Sequence, residues 1–105
     1  MDINFKYITG TWLHSHEEDT ADSMVYRHAD YAFPPSRGRN GYEFQKDYTG
    51  TYIGIAARDG STSDRFTWRV SEDVVNQVML IFGNGVKRVL TLSALNDDRL
   101  VVATT

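Results

Sequence analysis

Three observations predict an all-β fold, an eight-stranded antiparallel up-and-down barrel forming a single domain over residues 1–105. Apolar and polar residues alternate with a period of two from about Gly10 to the C-terminus, as half-buried strands require. Turn-forming residues break that alternation at roughly eight- to ten-residue intervals, the spacing of a sandwich or barrel. No segment carries an apolar stripe of helical period, and the six Tyr, five Phe and two Trp suit pleated surfaces better than helices. The 105 residues fill one hydrophobic core and are too few for two.

The elements follow in order. Ile3, Phe5, Tyr7 and Ile8 are too few for an independent helix, but one turn bringing Phe5 and Ile8 together would plug a barrel end. The expected strands are Thr11–His16, Val25–Phe33, Gly41–Tyr48, Tyr52–Ala57, Asp64–Val70, Val74–Phe82, Lys87–Leu95 and Arg99–Ala103. The acidic stretch Glu17–Met24 and the stiff, basic stretch Pro34–Asn40 read as rim loops. Thr49-Gly50, Asp59-Gly60 and Asn84-Gly85 supply residues that tolerate positive φ, and Asn96-Asp97-Asp98 can bond its own backbone, so each marks a hairpin. Connections this short exclude parallel crossovers, and sequence neighbours are expected to pair antiparallel as a meander. Closing the meander removes both exposed edges.

Composition narrows the partners. A net charge of −3 and a pI near 5.5 lack the electrostatic footprint of nucleic-acid binding, so no nucleic acid is expected. There is no cysteine, which removes disulfide and thiolate chemistry and favours a reducing, cytoplasmic setting. Met1–Gly10 carries Asp2 and Lys6 and lacks the apolar run of a signal peptide or membrane span, so no membrane association is expected. No Gly-x-Ser-x-Gly elbow, P-loop or dinucleotide fingerprint occurs, hence no catalytic residue is assigned and no cofactor is expected.

Gly10-Thr11-Trp12, directly before the first strand, resembles the Gly-x-Trp signature of the lipocalin and fatty-acid-binding (calycin) superfamily. GTWLHSHEED is similar to the first strand of intracellular fatty-acid-binding proteins, and YAFPPSRGRNGYEF to small bacterial lipocalin-like domains that bring no activity with them. The resemblance implies that Trp12 closes the barrel base under a basic residue from a late strand, for which Arg99 and Arg88 are the candidates. The chain is shorter than typical lipocalins and has neither the two-helix lid nor an alignable carboxylate-binding triad of the fatty-acid-binding proteins. A small or side-chain-filled cavity is therefore expected.

Three groups are candidates for chemistry. His14 and His16 share parity with Trp12. With Glu17, Glu18 or His28 they have ligand types that zinc uses, but no spacing fixes a third ligand; the expectation is no metal, with His14 hydrogen-bonded inside the barrel and His16 solvated at the rim. Arg37-Gly38-Arg39 is the densest basic feature, and its guanidiniums are suited to fork onto a carboxylate or phosphate, or onto Glu17, Glu18 or Asp19 across the rim. Tyr42, Phe44 and Tyr48 on the third strand and Phe66, Trp68 and Val70 on the fifth make an aromatic wall that suits a core or a ligand. Together they predict non-catalytic binding of a small hydrophobic or aromatic anion by Arg37, Arg39, Tyr42, Phe44, Phe66, Trp68 and His14, with entry beside Pro34–Asn40. The alternative is an interaction module or homodimer formed through Val74–Phe82, whose two faces are both apolar.

Overall fold

The computed structural model describes residues 5–35, 39–56 and 60–104. A single 3-10 turn, Phe5–Tyr7, precedes β1 (Gly10–His14), and a second, His16–Glu18, links it to β2 (Ser23–His28). The remaining strands are β3 (Gly41–Phe44), β4 (Thr49–Ala56), β5 (Gly60–Val70), β6 (Gln77–Phe82), β7 (Lys87–Leu95) and β8 (Arg99–Ala103). All pairings are antiparallel and the sheet closes in the order β1-β2-β8-β7-β6-β5-β4-β3. The expected eight-stranded barrel is the fold.

Strand order departs from a strict meander at one place. β1 lies between β2 and β3, and the ring closes through β2 and β8. Because β2 and β3 are each antiparallel to β1, they run parallel to one another, so the chain between His28 and Gly41 must cross β1. The expected second strand, Val25–Phe33, therefore stops at His28: Tyr31 N–H turns back to the His28 carbonyl, and Ala29 N–H pays its bond to Thr11. At the far side of the crossing His14 N–H donates to the Asn40 carbonyl at 2.8 Å.

Boundaries shift elsewhere for local reasons. The first strand ends at His14 because Ser15 N–H bonds the Val25 carbonyl and the chain tightens into His16–Glu18. The turn expected at Thr49-Gly50 lies one residue earlier, where Tyr48 takes φ 66° and donates to the Gln45 carbonyl. Gly50 is instead inside β4, where a Cβ would stand 2.5 Å from Phe66 Cε1. β6 starts at Gln77, not Val74, since Asn76 adopts φ 66° and Val74 N–H caps onto Ser71 Oγ; Val74 and Val75 are exposed in that turn. On the outward face of β6, Met79 and Ile81 are half-buried. The Asn84-Gly85 hairpin, with Gly85 at φ 86°, and the Asn96 Oδ1 bonds to Asp98 and Arg99 N–H, each 2.9 Å, match the sequence reading. In Asp59-Gly60 the first residue lies outside the described ones.

The interior is filled by side chains. Trp12, Val78, Leu80 and Leu100 are fully buried, and Phe44, Phe66 and Leu92 nearly so. Ile8 follows the N-terminal turn into the core, and its carbonyl accepts Trp12 Nε1–H at 2.8 Å, so the plug and the tryptophan share one barrel end. The residue on the indole is His28, stacked with ring centroids 3.8 Å apart, and neither Arg99 nor Arg88. The register explains this: Trp12 pairs directly with His28, whereas Arg88 sits at the start of β7, at the other end, and Arg99 is exposed.

Candidate functional site

The sequence-predicted residues divide between core and clamps. Phe44 stands 5.6 Å, ring to ring, from both Phe66 and Trp68, and Trp68 Nε1–H is shared by the Gln45 and Thr49 carbonyls. These three rings pack on one another deep in the barrel or at its plugged end. Tyr48, expected beside them on β3, caps the Trp68 ring from the exposed turn, 4.9 Å away.

Arg39 meets a carboxylate of its own chain. Its guanidinium forks onto Glu17 at 2.9 and 2.7 Å, donates to the carbonyls of His14 and Pro34, and lies over the Phe33 ring. It thereby ties the middle of the crossover, at Pro34, and its far end to the end of β1 and the turn after it, and few of its five donors are left for a ligand. Arg37 lies outside the described residues. Of the possible metal ligands, His14 Nε2–H donates to Asp19 at 2.8 Å, His28 stacks on Trp12, Glu17 is held by Arg39, and Glu18 binds Arg27 at 2.8 and 2.6 Å. His16 is largely exposed. Arg27 also pairs with Asp98.

These clamps have a pH signature. The Arg39 hydrogen bonds hold the Glu17 carboxyl down to about 2, and the Arg27 hydrogen bonds do the same for Glu18, against an ordinary value of 4.5. A carboxyl with a lower pKa when folded adds stability above its unfolded pKa and loses it as pH falls toward the folded one. The melting temperature is therefore expected to fall between about pH 5 and 2, modestly because both pairs are reached by solvent. Glu18→Gln should flatten that fall in a thermal melt series; an unchanged pH slope would remove Glu18 from the account.

The open end of the barrel, opposite the plug, has a different composition. Tyr42, Tyr52, Asp64, Phe82 and Arg88 occupy inward positions there, because each pairs in register with a neighbour on the interior face: Tyr42 with Tyr52, Tyr52 with Asp64, Phe66 with Phe82, Leu80 with Arg88. Arg88 reaches solvent and donates from Nη1 to the Tyr42 hydroxyl at 3.1 Å. Its guanidinium lies 5.2 Å from the Tyr52 ring centroid and 5.5 Å from that of Phe82. Partial burial pulls its pKa down, but the bonds to Tyr42 and Tyr52 leave it raised, so it is cationic at any physiological pH. Beside it opens a cavity of about 400 Å³ bordered by Tyr52, Asp64, Arg65, Phe82 and Arg88. Behind it Tyr26 is buried, which pushes its phenol up. The sequence left Arg88 and Arg99 as alternatives for the tryptophan and passed over Tyr52, Asp64 and Phe82 as ligand contacts. The parity of Arg88 with Leu90 and Leu92 was the available signal, since a charge on the inward face of a strand needs an open barrel end.

A family profile described as a lipocalin-like domain matches residues 8–102. No curated protein and no solved structure matches the chain.

Proposed function

The chain belongs to the lipocalin-like domain family, and from that premise we infer that it binds a small, partly hydrophobic anion, without catalysis, at the Arg88 rim. The interior is closed to a ligand by Trp12, Phe44, Phe66 and Leu80, all nearly or fully buried. One observation carries the reading: an inward-facing, solvent-reached arginine, steadied by Tyr42 and flanked by two aromatic rings, borders a cavity of about 400 Å³. That volume is in the range of small-ligand sites. A guanidinium with unspent donors is built for a carboxylate or phosphate, and the Tyr52 and Phe82 rings offer apolar surface for the rest of the molecule. This moves the anion-binding role from Arg37 and Arg39 to Arg88 and keeps Tyr42 as a supporting residue.

Calorimetric titration with benzoate, 3-phenylpropanoate and octanoate tests it. At least one should bind saturably, and Arg88→Gln should weaken it by about tenfold or more, the loss of a charge-assisted hydrogen bond. Binding unchanged in Arg88→Gln, or no binding by any of the three, would rule the site out.

A further inference from the structure

Asp64 is out of place in a site for a simple anion. It faces inward from β5, directly across from Tyr52, and borders the same cavity as Arg88. The two strands that carry these charges are separated by β6 alone. Among the described residues Asp64 forms no side-chain hydrogen bond or ion pair. Arg88 is turned instead toward Tyr42 and the Tyr52 and Phe82 rings. The other charged neighbour is Arg65, on the outward face of β5, which also borders the cavity and adds to its preference for anions. A carboxylate left unspent among two arginines repels a ligand that is only anionic. It favours one that brings its own cationic or N–H donor group to that side.

We propose that the rim cavity takes a zwitterion of amino-acid type: a carboxylate on Arg88, an ammonium on Asp64, and an apolar side chain against Phe82 and Tyr52. The proposal rests on the Arg88 reading and names the ligand class of that site. The two charges would be read by side chains on different walls of the cavity, so each charge can be tested separately from the other. Zwitterions whose charges sit on adjacent carbons place both near one end, and the remaining volume of a cavity of about 400 Å³ accommodates an aromatic ring.

Three probes that differ by one group separate the possibilities: L-phenylalanine, 3-phenylpropanoate without the ammonium, and 2-phenylethylamine without the carboxylate. In calorimetric titrations L-phenylalanine should bind about fivefold tighter than 3-phenylpropanoate, the size expected for a charge pair at an exposed rim. Asp64→Asn should erase that advantage, weakening L-phenylalanine and, with the repulsion removed, tightening 3-phenylpropanoate, while 2-phenylethylamine should bind weakest to the native protein. If 3-phenylpropanoate binds as tightly as L-phenylalanine and Arg88→Gln weakens both, the zwitterion is overturned and the anion site stands. An advantage for L-phenylalanine that survives Asp64→Asn also overturns it. Silence from all three probes and from octanoate overturns the site itself.

Discussion

Replacing Trp12 by alanine will cost about 3–5 kcal/mol, the range for truncating a fully buried tryptophan. Its side chain is completely enclosed, so the substitution leaves a void that its neighbours cannot collapse into without losing their own packing. Two further interactions go with it. Ile8 loses the indole N–H that its carbonyl accepts at 2.8 Å, which frees the N-terminal plug, and His28 loses the ring it stacks on at 3.8 Å. A single domain of this size has only about 5–15 kcal/mol in total, so the variant should be largely unfolded in mild denaturant. Trp12→Phe should recover part of the loss by refilling the void, but not the Ile8 bond. Urea denaturation of the three proteins measures this, and a cost for Trp12→Ala below about 1 kcal/mol would mean that the barrel end is not organised around this residue.

Gly41→Ala should be severely destabilising, at about 3 kcal/mol or more, the upper side of what overpacking costs. An added Cβ at Gly41 would stand 2.0 Å from the Trp12 carbonyl oxygen and 3.0 Å from Leu13 Cα. Both are backbone atoms, which cannot rotate aside. The methyl therefore forces β1 and β3 apart at the pairing of Leu13 with Gly41, next to the bond from His14 N–H to Asn40 that ends the crossover. Gly83→Ala is the matched control. Nothing lies within 4 Å of its added Cβ, and its effect should stay within about 0.5 kcal/mol. Equal stabilities for the two alanine variants in denaturant titration would show that the strands separate freely at Gly41.

Most of the barrel was legible in the chain because alternation and turn chemistry are local properties. β7 (Lys87–Leu95) and β8 (Arg99–Ala103) lie where the alternation placed them. The Asn84-Gly85 and Asn96–Asp98 turns form from their own side-chain and backbone bonds. The inward parity of Trp12, Tyr42, Phe44, Phe66 and Trp68 follows from the pleat, and all five are buried.

What tertiary structure alone decided depends on partners distant in sequence. No local signal says that β1 sits between β2 and β3; that order is held by backbone pairings on both edges of β1 and by Arg39 joining Glu17, His14 and Pro34. Nor could spacing choose between Arg88 and Arg99, because which barrel end an inward arginine faces depends on how the sheet closes. Glu17, present in the sequence as a possible partner, takes up Arg39, while Arg88 on β7, 46 positions from the Tyr42 hydroxyl it bonds, keeps donors free at the open end. The sequence by itself determined the strands and which of their faces turn inward, since these are set by residues one or two apart; which charges are spent on the chain and which are left at the rim was decided by three-dimensional closure.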